Sequence, residues 1–431
     1  MRILAITRRF PTPHLDLFAP HNERQFAELA RRHDVRVICP VPWTSRMQAV
    51  LAGPGEQPRS LWPERAEALH PTYCCPPGIW TDDAGTIFER SVCSAARSLM
   101  RAYQPDVILA SWAHPDGTAA VRLGQQIGTP VVLRVAGDLP PNTASRRGDR
   151  IVQDLCSADA LVASGAGLAR RVVALGAPSH RVHVVPEGVS REQFYPGDMV
   201  NARRGLRLPE GDKIILFVGD LKAEEGATDL VKACAIIRDR GVPFRCQFVA
   251  NTLETSRIRT VIHSRGLDDR MCFAGVRSHA ELADWLRACD VVARPSYSNA
   301  LSNVLREAME CGKPFVATRV GGVSEISHPS YSRLVIAGAV GQLADALVDM
   351  LERSPAVPAD LAERVNLTWE HSTALFAHHL QAVVARRVAM RMRRVRSDLS
   401  IRYARTSRQE PLRGFARTGG PSFDSGAFAK N

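Results

Sequence analysis

The sequence predicts an α/β protein built from two doubly wound domains that face a common cleft. Its 431 residues exceed what one ordinary hydrophobic core organises, and 45% hydrophobic with 23% charged residues is typical of a globular chain. Short runs of β-branched residues alternate with stretches of helical periodicity, which is typical of parallel strands joined by crossover helices. This alternation occurs twice, on either side of a polar segment that contains several Pro and Gly residues.

The first series predicts a Rossmann-like domain over residues 1–188. Its strand candidates are Ile3–Ile6, Val35–Cys39, Val107–Ala110, Val131–Val135, Ala160–Ala163 and Val182–Val185. Its helix candidates are Asn22–Arg32, Ile87–Tyr103, Gly117–Ile127 and Leu168–Leu175. Several turn-forming residues then predict a linker over residues 189–211, namely Pro196, Gly197, Pro209 and Gly211.

The second series predicts another Rossmann-like domain over residues 212–367. Its strand candidates are Ile214–Val218, Arg245–Val249, Met271–Phe273, Val291–Ala293, Phe315–Thr318 and Leu334–Ile336. Helix candidates between them are Thr228–Asp239, Ala280–Ala288 and Val340–Leu351. Ligands of such sheets bind beyond the carboxyl ends of the strands, so the loops that follow these strands are the expected binding site.

Most of the net charge of +12 lies near the C-terminus. Between Arg386 and Arg417, eleven Arg residues accompany only Asp398 and Glu410, a local balance of +9 that leaves about +3 for the rest of the chain. The basicity is therefore a property of the tail and not of the folded domains.

We predict a basic helix over residues 368–397 and a disordered tail over residues 398–431. The stretch Arg386–Arg396 suits a helix that contacts an anionic membrane surface, and it equally suits a solvated, frayed helix. No aromatic residues interleave with the arginines to stack on bases, so we expect no nucleic-acid binding.

Several classes of function are excluded because their signatures are missing. No run of eighteen apolar residues is present, and the N-terminus is charged too early for a signal peptide. The ten Cys residues include no C-x-x-C pair, which favours reduced thiols and a cytoplasmic protein. The sequence has no phosphate-binding Gly-Lys-Ser/Thr loop, no D-x-D pair, no HExxH and no G-x-S-x-G. We therefore expect neither a bound metal nor a cofactor.

The stretch PSYSNALSNVLREAMECGKP, residues 295–314, carries the strongest functional signal. A buried strand ends just before it, and a polar turn leads into a helix that Ser302 can cap. The backbone N–H groups at such a helix start suit the diphosphate of a nucleotide sugar. The carboxylate of Glu307, more than one turn further on, could accept both hydroxyls of a ribose; taken alone, it is more typical of a solvated helix Glu.

The surrounding motifs resemble the donor site of the retaining family-4 glycosyltransferases of the GT-B fold, also called glycosyl transferases group 1. In the second half, the similar segments are Pro295-Ser296, Glu307-Ala308-Met309, Gly312, Pro314, Val316–Thr318, Val320–Glu325, Phe217–Gly226, Leu267–Gly275 and Ala288–Val292. In the first half, segments resemble the branch of the family that builds bacterial surface polysaccharides, namely Phe10–Pro13, Val41–Trp43, Trp112–Gly117 and Val184–Val189. The resemblance spans roughly residues 1–380.

The resemblance implies transfer of a sugar from a nucleotide-diphosphate donor to a glycan or lipid-linked acceptor, with retention and without a metal. It implies that Glu307 binds the ribose, that Asn299 meets the donor sugar and that the first domain holds the acceptor. Further donor-binding positions would be Ala300, Leu301, Ser302, Gly219, Gly321 and Gly322. No catalytic residue is identified, although Asp138 and Asn299 are candidates near the reacting sugar. The protein would work in the cytoplasm, or at the inner face of the plasma membrane.

The sequence departs from the family pattern at several positions of this site. Asp220 and Glu225 stand where the family usually has the Arg and Lys that meet the diphosphate. Like charges about 4 Å apart repel by several kcal/mol at intermediate dielectric. Other departures are Ala19 for a loop Gly, Ala136 for His, Glu187 for Asn, and Asn299 for the first of two paired Glu residues.

Three functional hypotheses remain open. The first is an active glycosyltransferase in which nearby cations replace the missing pair, the candidates being Lys222, Arg294, Arg306 and Arg319. The second is a catalytically degenerate relative that serves as a scaffold or binding protein in the same pathway. The third is a sugar-nucleotide epimerase of similar fold, which the motifs fit less well.

Overall fold

The computed structural model of the chain describes residues 1–11, 20–52, 62, 67–73, 82–100, 102–135, 139, 145–250, 255–298 and 302–406. Internal contacts group Met1–Val384 as one compact unit and Ala385–Asn431 as another. Within the first unit, two parallel sheets confirm the predicted fold class of two doubly wound domains.

The N-terminal domain contains a seven-stranded parallel sheet and a separate pair of short strands. Its strands are β1 (Arg2–Ile6), β2 (Asp34–Ile38), β3 (Val41–Pro42), β4 (Ala68–Leu69), β5 (Thr72–Tyr73), β6 (Val107–Ala110), β7 (Val131–Val135), β8 (Ala160–Ala163) and β9 (Val182–Val184). The sheet order is β4-β2-β1-β6-β7-β8-β9, and β3 pairs with β5. The helices are α1 (Pro20–Ala30), α2 (Trp43–Ala52), α3 (Asp82–Leu99), α4 (Asp116–Ile127), α5 (Arg146–Ser157) and α6 (Ala166–Ala174).

The C-terminal domain contains a six-stranded parallel sheet. Short strand β10 (Gly188–Val189) precedes it, followed by β11 (Ile214–Val218), β12 (Arg245–Val249), β13 (Met271–Phe273), β14 (Val291–Arg294), β15 (Phe315–Thr318) and β16 (Ser332–Val335). The sheet order is β13-β12-β11-β14-β15-β16. The helices are α7 (Met199–Gly205), α8 (Ala227–Asp239), α9 (Thr255–Ser264), α10 (His279–Ala288), α11 (Asn303–Glu310), α12 (Val340–Arg353) and α13 (Ala359–Val365).

Helices cover both faces of each sheet, which explains why the strands are apolar without alternation. Leu4 and Ile6 of β1 belong to one hydrophobic core, whereas Ile3 and Ala5 belong to the core on the opposite face. In β11, Phe217 and Leu216 divide in the same way between two cores. Strands buried on both faces require parallel neighbours with crossover helices, as the sequence pattern predicted.

The two chain segments that connect the domains pair with each other through two short strands. After β10, the chain forms α7 inside the segment predicted as a linker, with Asp198 accepting hydrogen bonds from the first helical N–H groups. Strand β17 (Leu367–Thr368) then returns to pair with β10. The two connections between the domains therefore lie side by side.

The C-terminal helix is longer than predicted. Helix α14 runs over Trp369–Thr406, so residues 398–406 are helical and not disordered. The run of Arg and aliphatic residues contains no Gly or Pro before Pro411, so nothing in the sequence ends the helix at residue 397. The rest of the predicted tail, residues 407–431, lies outside the described residues.

Gly226 is required by a close approach of two loops beside the C-terminal sheet. Its φ of +74° is left-handed, and a methyl group there would overlap the backbone oxygen of Pro295. We expect Gly226→Ala to lower the free energy of unfolding by about 2 kcal/mol or more, because backbone strain adds to the overlap. Urea unfolding followed by circular dichroism measures the loss.

Gly211→Ala is the matched control, because nothing lies within 4 Å of an added methyl group there. We expect its stability to stay within about 0.5 kcal/mol of the wild type. Equal stability of the Gly226 and Gly211 variants would show that the two loops do not hold the described contact.

Candidate active site

The carboxyl ends of the two sheets meet through side chains that cross between the domains. Glu325, after β15, accepts hydrogen bonds from the backbone N–H groups of Ala166 and Gly167 at the start of α6, at 2.9 and 2.7 Å. Arg191, in the connection between the domains, donates to Glu310 of α11 at 3.3 Å. The loops that the sequence predicted as a binding site therefore line the boundary between the domains.

Arg294 neutralises one of the two acids that replace the expected cations. Its guanidinium forms an ion pair with Glu225 and donates to the carbonyl of Val218 at 3.3 Å. Both charged side chains are mostly buried, 14% and 19% exposed. Gly219 makes this possible, because a methyl group at that residue would lie 2.5 Å from the guanidinium.

Asp220 pairs with one cation of its own domain, and its charge also acts on Arg9 of the other domain. Lys222 lies 3.4 Å from its carboxylate, and both side chains are about half exposed. Arg9, from the loop after β1, lies over the Trp112 ring at 5.0 Å from the ring centre. Loss of hydration and the neighbouring Arg8 lower the pKa of Arg9, whereas the charge of Asp220 opposes this shift. Arg9 thus feels the charge of Asp220 without a described ion pair between the two side chains.

The other two cations proposed as replacements lie elsewhere. Arg306 is buried and donates to Val365 O and to Asn366 Oδ1, at 3.3 and 3.4 Å, in the connection between the domains. Arg319 is exposed at the end of β15. The two acids are therefore balanced by Lys222 and Arg294, which the sequence suggested, and by Arg9, which it did not.

Glu307 lies on α11 and is only 2% exposed, so it is not a solvated helix residue. His279 Nε2, from the first residue of α10, lies 2.7 Å from its Oε1. His21 Nε2, from α1 of the other domain, lies 3.9 Å from the same oxygen. Burial would raise the pKa of Glu307, but the charge and hydrogen bond of His279, with His21 and Arg24, hold that pKa below its ordinary value. Glu307 is therefore ionised at neutral pH.

A buried ion pair links both domains beside Glu307. Arg134 of β7 pairs with Glu187, with side chains 5% and 8% exposed. Arg134 also donates to Asn22 Oδ1 of α1 at 2.6 Å, and Asn303 of α11 donates to Glu187. Burial would raise the pKa of Glu187, but Arg134 above all holds that pKa low. Glu187, which stands where the family usually has Asn, therefore forms a buried charge pair with Arg134.

The loop after β6 places a second buried carboxyl on the first domain. Asp116, fully buried at the start of α4, accepts a hydrogen bond from the backbone N–H of Arg8 at 3.3 Å. Burial raises its pKa to about 7, although the Arg8 charge opposes that shift. Asp116 can therefore hold or release a proton near neutral pH, beside the loop that carries Arg8 and Arg9.

The remaining predicted positions fall into two groups. Ser302 occupies the N-cap of α11 as predicted, but its side chain makes no capping hydrogen bond. Gly321 and Gly322 follow β15 and lead to Glu325, and Gly321 has a φ of +53°. The others lie outside the described residues: Ala19, Ala136, Asp138, Asn299, Ala300 and Leu301.

One group of side chains in the described part of the chain could hold a metal ion. The ligand atoms of His21, His279 and Glu307 all lie within 4.8 Å of one another. Sequence reasoning missed both histidines, because they lie far apart in the chain and in no motif. The position of His279 directly after Ser278, which forms a capping box with Glu281, fixes it at the start of α10.

Family models of glycosyltransferases match both halves of the chain. Residues 19–188 match the "Glycosyl transferase 4-like domain", and residues 198–366 match "Glycosyl transferases group 1". Together these matches span most of the chain. The chain therefore has the GT-B fold of the group 1 glycosyltransferases.

Curated relatives share about 30% of their residues with the chain over part of its length. The D-inositol 3-phosphate glycosyltransferase of Acidothermus cellulolyticus is 30% identical over 279 residues, which is 60% of either chain. The enzyme of the same name from Arthrobacter sp. is 29% identical over 62% of this chain and 69% of its own. The enzyme of the same name from Mycobacterium bovis is 32% identical over 57% of this chain and 53% of its own. The matches thus span about half to two thirds of these relatives.

Solved structures share the fold over most of the chain. Sucrose-phosphate synthase from Thermosynechococcus elongatus superposes with a TM-score of 0.75 and 19% identity, over 89% of this chain and all of that one. Anabaena HepE, solved with UDP-glucose, gives a TM-score of 0.69 and 18% identity with the same coverage. At these identities the likeness establishes the fold alone.

The buried pair of Arg134 and Glu187 yields a stability prediction. We expect Arg134→Met to lower the free energy of unfolding by about 3–5 kcal/mol, because Glu187 would remain buried without its cation. Adding Glu187→Gln should recover part of that loss, since the double variant leaves no buried charge. Urea unfolding of the two single variants and the double variant measures the coupling.

The exposed pair of Arg204 and Glu210, 3.2 Å apart, provides the control. We expect Arg204→Met to cost less than about 1 kcal/mol. A loss for Arg134→Met no greater than this, or strict additivity in the double variant, would contradict the described ion pair.

Proposed function

We propose that the protein transfers a sugar from a nucleotide-diphosphate sugar to a glycan or lipid-linked acceptor, with retention at the anomeric carbon. Surface polysaccharide biosynthesis is the proposed pathway, and the cytoplasm the proposed location. The transfer step itself needs no metal. The names of the relatives support a glycosyl transfer, and the polysaccharide role rests on the resemblance of the first domain.

The position of Glu307 carries this proposal. Its carboxylate is buried, ionised and located where the C-terminal domain faces α1 of the N-terminal domain. The described contacts of this carboxylate all involve Oε1, which leaves Oε2 for the hydroxyls of a ribose. An ionised carboxylate accepts hydrogen bonds from two hydroxyls more strongly than a neutral group would.

The relocated cations can serve the diphosphate of the donor. Arg294 and Lys222 neutralise Glu225 and Asp220, and Arg9 approaches from the opposite domain. A diphosphate that enters this space would exchange the carboxylate partners of these cations for its own oxygens. Such preorganised cations stabilise the charge that develops on the leaving group. Asp116, with its pKa of about 7, can exchange a proton on the acceptor side.

A degenerate scaffold is the second candidate function. It is favoured by the two carboxylates themselves, because each of the nearby cations already has an acidic partner. If these pairs stay closed, Arg294 and Lys222 cannot bind a diphosphate, and the fold would serve binding of another partner alone.

Donor titration separates the two candidates. We expect calorimetry to show micromolar binding of a UDP- or GDP-sugar, followed by slow donor hydrolysis. Glu307→Ala should weaken binding by more than about tenfold, since a buried charged hydrogen bond contributes about 1.5–3 kcal/mol. Arg294→Ala should weaken it as well.

Glu352→Ala, at an exposed position of α12, is the matched control and should bind as the wild type does. The acceptor panel should contain lipid-linked glycans and, because of the relatives' names, D-inositol 3-phosphate. A folded protein that binds no nucleotide sugar would overturn the transferase and support the scaffold.

The Arg-rich part of α14 is proposed to contact an anionic membrane surface. Large apolar side chains are exposed among the arginines between residues 386 and 396: Val388, Met390, Met392 and Val395, at 47%, 52%, 61% and 57%. Cations and apolar groups together suit the headgroup region of an anionic membrane. Among the described helices, none has the length and apolar character to cross a bilayer.

Vesicle sedimentation tests this contact. We expect the full chain to bind vesicles that contain phosphatidylserine, to dissociate from them in high salt, and not to bind neutral vesicles. Truncation after Ala385 retains the compact unit Met1–Val384 and should abolish binding. Equal sedimentation of the truncated and full chains would remove the membrane proposal.

A further inference from the structure

The side chains of His21, His279 and Glu307 share a geometry that hydrogen bonding alone does not satisfy. Both imidazoles direct Nε2 at one oxygen, Glu307 Oε1, at 3.9 and 2.7 Å. Only His279 is within hydrogen-bond distance. No hydrogen bond joins His21 to any described residue through either ring nitrogen, and its Nδ1 is buried without a partner. Buried polar atoms normally have partners, so this arrangement needs an explanation.

We propose that these three residues form a zinc site that joins the two domains. Two imidazole nitrogens and one carboxylate oxygen are the ligand set of many sites that bind Zn²⁺ through three protein ligands and leave a fourth position open. The ligand atoms lie within 4.8 Å of one another. Ligands about 2.0–2.1 Å from a tetrahedral ion lie about 3.3 Å apart, so shifts below about 1 Å bring both nitrogens into place.

Burial and charge fit a divalent cation at this position. The side chains of His21, His279 and Glu307 are 26%, 16% and 3% exposed, so the site is enclosed but reachable. The Glu307 carboxylate supplies one negative charge to the site. The aromatic rings of Trp369 and Phe194 pack beside the two imidazoles, with ring centres at 5.9 and 4.9 Å, and hold them in place.

The site lies across the domain boundary, which gives zinc a regulatory role. His21 belongs to α1 of the N-terminal domain, whereas His279 and Glu307 belong to the C-terminal domain. A bound ion would hold the two domains together and would use the carboxylate proposed for the ribose. Ligation of zinc through Oε1 withdraws charge from Oε2, so zinc should weaken donor binding and the donor should weaken zinc binding; this coupling, unlike zinc binding itself, rests on the proposed function.

Titration of the full-length protein, freed of metal by a chelator, with zinc chloride tests the site. We expect one equivalent to bind with micromolar affinity. His21→Ala and His279→Ala should each weaken binding by more than about tenfold, since each removes a ligand. Cobalt(II) should give visible ligand-field absorption typical of a tetrahedral site, which is lost in both variants. The metal-free protein should keep its donor hydrolysis.

His263→Ala is the matched control, because this histidine is 85% exposed on α9 and outside the site. It should bind zinc as the wild type does. Circular dichroism checks that each variant is folded, and His21→Gln provides a more conservative change should His21→Ala unfold. Absence of stoichiometric binding, or binding unchanged in the His21 and His279 variants, would overturn the zinc site.

A competition experiment separates this inference from the proposed function. If both hold, UDP should weaken the apparent zinc affinity and zinc should inhibit donor binding. Zinc binding that depends on His21 and His279 but does not change when UDP is added supports the zinc site and contradicts the ribose role of Glu307. Donor binding without any zinc binding overturns the zinc site and leaves the transferase intact.

Discussion

The buried ion pair between Arg134 and Glu187 is the interaction on which the arrangement of the site depends. Two charges removed from water are tolerated only when their remaining hydrogen-bonding capacity is satisfied. That requirement recruits Asn22 from α1 and Asn303 from α11. The pair therefore fixes the first turn of α11 against the N-terminal domain, and with it the direction in which Glu307 points. A change at this pair would disturb the site without touching any residue that meets a ligand.

The charge pattern of the candidate site combines two acids with cations from neighbouring positions. The family positions that usually carry cations hold Asp220 and Glu225, yet each carboxylate has a cation beside it. Asp220 and Lys222 are about half exposed, so solvent screens this pair and it opens at little cost. Arg294 and Glu225 are mostly buried, and separating them costs more unless a ligand replaces the carboxylate. A diphosphate is such a ligand, because it offers several anionic oxygens to one planar guanidinium.

The sequence predicts the sheets far better than it predicts the site. Strands such as Val131–Val135 and Ile214–Val218 match the structure residue for residue, because burial on both faces leaves a mostly apolar run, interrupted in the first strand only by Arg134. The two-residue strands escape prediction because they are too short to show a period. The roles of Arg9, His21 and His279 also escape it. Arg9 and His21 act on residues of the other domain, and His279 lies 28 residues before Glu307, so no local pattern encodes these contacts.

The two roles proposed for Glu307 compete for one carboxylate. Its ionised carboxylate is stabilised by imidazoles from both domains, which overcome the cost of burial. A ligand that binds this carboxylate must stabilise its charge as well as the imidazoles do. A ribose would do so through hydroxyl hydrogen bonds, and a cation through direct ligation. A ribose needs only Oε2 and leaves His279 on Oε1, whereas a cation draws both imidazoles and the carboxylate together. The two states therefore differ in the position of His21, and hence in how closely α1 approaches the C-terminal domain.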